Sequence, residues 1–208
     1  MYKLIIFDFD GTIGDTGKVS IEVYETISKK HGFQVLSPEE IEFFRTLPIK
    51  TRMKKMDIPL RRIPKLTKQT WQLMAEKIPF TRPFEGIESL LKALKAQQIP
   101  MVIVSSNATS NIQGFLNHNH LDYFDQVIGG AKLFGKEKTL KKLIKRYKLV
   151  PEEVLYVGDE LRDIESCKAI QLPIAAVTWG FDKRSLLQSA KPTYLVDTPH
   201  EIKAIVGL

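Results

Sequence analysis

The stretch from Leu4 to Thr16, LIIFDFDGTIGDT, decides the fold. An apolar run of strand length delivers two aspartates, Asp8 and Asp10, into a glycine turn. A strand that is apolar at consecutive positions is buried on both faces, as in a parallel sheet covered by helices. Side chains i and i+2 of a strand share a face, so Asp8 and Asp10 address the same place at its carboxyl end. Two carboxylates crowded there raise each other's pKa unless a cation is present, and structure alone gives no reason for them.

Runs of the same kind recur along the chain. They are KLIIFD (3–8), MVIVSS (101–106), QVIGG (126–130), VLYVGD (154–159), IAAVTW (174–179) and a weaker TYLV (193–196). Helical patterns lie between them. PFEGIESLLKALKAQQI carries Ile87, Leu90, Leu91 and Leu94 on one face, and KEKTLKKLIKRYK repeats Leu140, Leu143, Ile144 and Tyr147 at helical spacing. LRDIESCKAI follows the acidic GDE. Alternating strands and helices imply right-handed crossovers and an α/β, doubly wound, Rossmann-like parallel sheet.

One region breaks the alternation. No strand-like run appears from 17 to 80. VSIEVYETISKKHGF is an amphipathic helix with Gly32 placed to end it. SPEEIEFFRTL opens with a capping serine, a proline at the first helical position and acids in the first turn. LTKQTWQLMAEKI makes another helix, and PFTRPFEG (79–86) reads as the returning hinge. The expected organisation is a core of 1–16 and 81–208 with an all-helical cap of 17–80 inserted between its first two strands.

Composition narrows the function. The 208 residues are 43% hydrophobic and 26% charged, ordinary for a globular protein. No apolar run approaches the roughly 18 residues that span a bilayer, and MYKLIIFD lacks the pattern of a signal peptide. The single cysteine, Cys167, excludes an internal disulfide and reads as a small core residue of a helix. A cytoplasmic protein is expected. The net charge of +7 could serve nucleic acid, but the basic residues are dispersed, and the lysines of KEKTLKKLIKRYK form the wet face of an amphipathic helix. Aromatics interleaved with the bases, which single-strand binders use, are scarce.

In a parallel sheet, ligands bind beyond the carboxyl ends of the strands. This chain puts Asp8 and Asp10 there from the first strand, Ser105 and Ser106 from the second, and Asp159, Glu160 and Asp163 from the fourth. FGKEK adds Lys136 and Lys138 before a helix. Hard oxygen ligands without histidine or cysteine select Mg²⁺, and a hydroxyl with a lysine nearby suits a phosphate.

DFDGT, a strand ending in serine, a lysine before a helix and GDELRD together resemble the four ordered motifs of the haloacid dehalogenase-like (HAD) hydrolases. Within that superfamily the chain is similar to the phosphoglycolate phosphatase-like group, whose helical cap follows the first motif. The resemblance implies the nucleophile at Asp8, which forms an aspartyl-phosphate, and the general acid and base at Asp10. It implies Mg²⁺ held by Asp8, the Asp10 carbonyl and Asp159, with Asp163 as a ligand through water or an anchor behind the ligands. Glu160 stands beside them, with a charge at a helix start as its plain alternative. Gly11 permits the turn, Thr12 orients Asp10, and Ser105 binds a phosphoryl oxygen, with Ser106 the competing assignment and Asn107 a further contact. Lys136 offsets the charge of nucleophile and phosphate, with Lys138 as the alternative. Trp179 either packs or lines the site.

The implied activity is Mg²⁺-dependent hydrolysis of a small phosphate monoester, phosphoglycolate-like or similar. The alternatives are a phosphomutase of the same superfamily acting on a sugar phosphate, and a non-catalytic anion- or nucleic-acid-binding module. The expected partner is a small-molecule phosphate ester rather than a membrane or nucleic acid. In the cap, Arg45, Lys50, Arg52, Lys54 and Lys55 either contact an anionic substrate or form outer faces.

Overall fold

The computed structural model describes residues 2–131 and 135–208, so Phe134, at the head of FGKEK, lies outside them. All six expected strands form: β1 (Leu4–Phe7), β2 (Met101–Val104), β3 (Gln126–Ile128), β4 (Val154–Gly158), β5 (Ile174–Val177) and β6 (Tyr194–Val196). They make one sheet in the order β3-β2-β1-β4-β5-β6, parallel throughout. From β1 the chain builds to one side through β2 and β3, then returns to β4 on the other. The reversal puts a crevice between the carboxyl ends of β1 and β4, where an open α/β sheet binds ligands.

The continuous hydrophobicity of β1 has a direct cause. Ile5 and Phe7 face one buried layer while Leu4 and Ile6 face the other, and all four are fully buried. The first layer holds helices α5 (Ile87–Ala96), α6 (Thr109–His118) and α10 (Pro199–Val206). The second holds α7 (Glu137–Arg146), α8 (Leu161–Lys168) and α9 (Arg184–Ser189). In α7, Leu140, Leu143 and Ile144 are buried against the sheet, which leaves the lysines outside. Cys167 is fully buried, and burial pushes its thiol pKa up, away from reactivity.

The helical cap comprises α1 (Gly17–His31), α2 (Pro38–Phe44), α3 (Ile49–Lys55) and α4 (Ile63–Ala75). Gly32 ends α1 in the left-handed conformation at φ +70°. Ser37 and Glu40 form a reciprocal capping box at the start of α2. The outgoing and returning chains are bonded side by side, with the Asp15 amide on the Arg82 carbonyl at 2.9 Å and the Phe84 amide on the Ile13 carbonyl at 3.0 Å. The cap therefore joins the core through a short paired neck. Among the described residues no helix is long and apolar enough to cross a membrane.

Candidate active site

Each site residue leaves the end of a strand or the start of the helix after it. The Asp8 amide continues the β1–β4 ladder by bonding the Val157 carbonyl at 2.8 Å, which fixes Asp8 at the lip of the crevice. Its Oδ1 accepts from the Phe9 amide at 2.7 Å and its Oδ2 from Lys136 Nζ at 2.9 Å. Lys136, just before α7, also donates to Asp163 Oδ1 at 2.7 Å and to the Tyr156 hydroxyl at 2.7 Å. Asp8, Lys136 and Asp163 are all buried. Lys138, the alternative lysine, is exposed.

Asp10 belongs to a different network. Its Oδ1 accepts from Thr16 Oγ1 at 2.8 Å, and Asn107 Nδ2 reaches Oδ2 at 3.0 Å and Oδ1 at 3.2 Å. Thr12, expected to orient Asp10, instead donates to Asp159 Oδ1 at 2.9 Å. The physical reason is the turn: Gly11, at φ +73°, carries Thr12 toward β4, and Thr16 comes back to Asp10 from the threshold of α1. Ser105 is buried with its Oγ accepting the Asn107 amide at 3.1 Å, so it shapes the loop that aims Asn107. Ser106 and Asn107 line the cavity under the cap. Trp179 donates to the Thr12 carbonyl at 3.2 Å and packs near Phe84, bracing the turn from outside.

The charges are tuned by burial. Burial pushes the Asp8 carboxyl up, and the pull of Lys136 opposes it. Asp10 is pushed up to about 6, again by burial first, against the hydrogen bonds from Thr16 and Asn107. Asp159 is driven well above the usual carboxylate range by burial and then by Glu160, Asp8 and Asp163. Burial alone would raise Asp163, but Lys136 and Arg162 hold it below the usual range. Lys136 stays cationic because Asp163 and Asp8 outweigh the cost of its burial.

Such a cluster fits a hard divalent cation. Asp8, Glu160 and Asp163 each offer a carboxylate oxygen, all within 4.8 Å of one another. Asp159 lies outside that set, with its oxygens on Thr12 Oγ1 and on the Phe181 amide at 2.8 Å. Both glycines beside it are required for space. A Cβ on Gly11 would come within 2.2 Å of Asp159 Oδ2, and one on Gly180 within 2.2 Å of Asp159 Cβ. Where Asp159 helps to hold Mg²⁺, Gly180→Ala, which displaces it, is expected to raise the Mg²⁺ concentration needed for half-maximal activity by roughly 10–100-fold. A Mg²⁺ titration of the rate checks this, and an unchanged midpoint would remove Asp159 from the metal site.

The cap grips the same loop. Arg45 donates to the Phe181 carbonyl at 2.7 Å and to the Gly180 carbonyl at 3.0 Å. The buried Arg52 pairs with Asp182 and stacks over the Phe181 ring, 4.8 Å from its centroid. Asp182 in turn accepts the Leu161 amide at the start of α8, at 2.7 Å. Of the five basic residues singled out in this segment, these two thus reach the core, while each also bonds within the cap, Arg45 to Glu42 and Arg52 to the Phe44 carbonyl. Sequence reasoning missed Tyr156, Thr16 and Asp182. Tyr156 had a signal: a hydroxyl in a strand buried on both faces must find a polar partner.

With this geometry in place, likeness to known proteins is informative. The chain belongs to the haloacid dehalogenase-like hydrolase family, whose model matches residues 5–177. It is 30% identical over 201 residues to a phosphoglycolate phosphatase of Synechococcus elongatus, covering 96% of this chain and 95% of that one. A phosphoglycolate phosphatase of Aquifex aeolicus is 24% identical over 204 residues, 96% and 94% of the two chains. The crystal structure of a predicted phosphatase from Clostridium acetobutylicum superposes with a TM-score of 0.83 at 25% identity, over 100% of both chains. The expectation of an enzyme, a phosphoric monoester hydrolase, is borne out by these relatives.

Proposed function

We propose that the chain is a cytoplasmic, Mg²⁺-dependent phosphatase that hydrolyses a small phosphate monoester through an aspartyl-phosphate on Asp8. The observation that carries this is the division between two carboxylates two residues apart. Asp8 is paired with a buried lysine at 2.9 Å, while Asp10 is oriented by neutral donors and pushed up to about 6. Two carboxyl groups whose surroundings differ in this way suit two roles.

In the first step an Asp8 carboxylate oxygen attacks phosphorus, and the ester P–O bond breaks with its electron pair leaving on the alcohol oxygen. Asp10 gives that oxygen its proton, as a carboxyl group near 6 is able to do. In the second step Asp10, now ionised, takes a proton from water. The resulting hydroxide attacks phosphorus and the bond to Asp8 breaks, releasing phosphate. Lys136 keeps positive charge beside Asp8 throughout, and the Asn107 side chain holds Asp10 on the substrate side. Asp8, Asp159, Glu160 and Asp163 would hold Mg²⁺, which when bound supplies positive charge to the transferring phosphoryl group. The cap, clamped through Arg45 and Arg52, limits entry of water during the first step.

Phosphate release from a panel of esters, with phosphoglycolate as the reference and an aryl phosphate as the generic member, tests the reading. Release is expected with Mg²⁺ and is lost with excess chelator. No release from any ester would overturn it.

A further inference from the structure

A cavity of about 250 Å³ lies between cap and core and opens on Asp10 and Asn107. Packed interiors hold few voids larger than a water, so an opening of this size beside the acid-base residue is room for a ligand. That is well above the roughly 30 Å³ one water takes up in the liquid, and leaves more room than a two-carbon acid needs. Helix α4 builds the cap-side wall with two adjacent rows at a spacing of four residues. Ile63, Thr67 and Trp71 form one row, and Leu66, Thr70 and Met74 the other. Lys65 and Lys68 of the same helix are exposed, on its other side. Among the described residues lining the cavity none carries a positive charge. Trp71 is held in place by its donation to the Ser106 carbonyl at 3.0 Å and by Asn111, which donates to the Trp71 carbonyl at 2.9 Å.

We propose that this cavity receives the alcohol part of the substrate and that this part is an uncharged, mainly apolar group larger than glycolate, with α4 setting the preference. The proposal rests on the phosphatase reading above. An apolar leaving group fills the cavity and gains contacts there, whereas a carboxylate would be desolvated without a cationic partner from α4. Thr67 and Thr70 supply hydroxyls for one or two hydrogen bonds, which orient the group without calling for charge.

The test compares two esters of the same shape and reactivity, 4-acetylbenzyl phosphate and 4-carboxybenzyl phosphate, with benzyl phosphate and phosphoglycolate alongside. The two uncharged esters are expected to have kcat/KM at least roughly tenfold above the two carboxylated ones, at the low end of what one pocket contact discriminates. Thr70→Lys, which places a cation in the wall, is expected to narrow that ratio, and Thr67→Lys serves where the first variant does not fold. Equal or better turnover of the carboxylated esters overturns the proposal and leaves the phosphatase reading standing. Absence of phosphate release from all four esters overturns both.

Discussion

Asp8→Asn is expected to reduce phosphate release by at least roughly 10⁴-fold, the scale on which removal of a covalent nucleophile acts. The amide has the shape of the carboxylate but no charge and no nucleophilic oxygen, so the first step has no attacking group. The remaining architecture should persist. Lys136 keeps Asp163 and Tyr156 as partners, and Asn Oδ1 can still accept the Phe9 amide. Burial already works against the charge of Asp8, so a neutral side chain costs the fold little. The melting temperature should stay within about 4 °C of the wild type, the effect of roughly 1 kcal/mol in a chain of this length. An acid-quenched reaction of the wild type should also retain phosphate bound to protein, and the variant none. A variant rate within tenfold of the wild type would exclude Asp8 as the nucleophile.

The place of Asp8 is legible in the sequence because the topology must put it at the carboxyl edge of the sheet. Continuous apolar strands reveal a parallel sheet, and a parallel sheet gathers the residues that follow its strands at one edge. The positions of Asp8, Ser105 and Asp159 at that edge are legible for that reason, whereas the roles expected of them belong to the proposed function. The crossover helix α6 was not legible: TSNIQGFLNH holds a glycine and two asparagines, weak helix formers, and tertiary packing of Ile112, Phe115 and Leu116 overrides them. The partner of each polar group was not legible either. Thr12 and Thr16 lie four residues apart in one loop, and only the path of the turn decides which of them meets Asp10. The destination of Arg45 and Arg52 was equally hidden, because basic residues at the end of α2 and within α3 give no sign of a loop 130 or more residues away.

Lys136→Met is expected to lower kcat by roughly 10²–10³-fold, the usual loss when a positioned electrostatic donor is removed. It should also destabilise the protein, and the two effects have separate origins. In the fold, Lys136 neutralises Asp8 and the fully buried Asp163 and receives no help from solvent. Breaking a buried ion pair from one side costs about 3–5 kcal/mol, which lowers the melting temperature by roughly 10 °C in a chain of this size. In the proposed mechanism the same ammonium faces Asp8 and the charge that gathers on the phosphoryl group. A second change tells the roles apart. Asp163→Asn added to Lys136→Met removes one of the two carboxylates that were stranded, so part of the lost stability should return, as coupling between contacting residues requires. The rate should not return with it, because the positive charge beside Asp8 is still missing and Asp163 is itself one of the groups that would hold Mg²⁺. Recovery of both together would make Lys136 a structural counter-ion only, and an unchanged melting temperature in Lys136→Met would show that Asp8 and Asp163 find another partner.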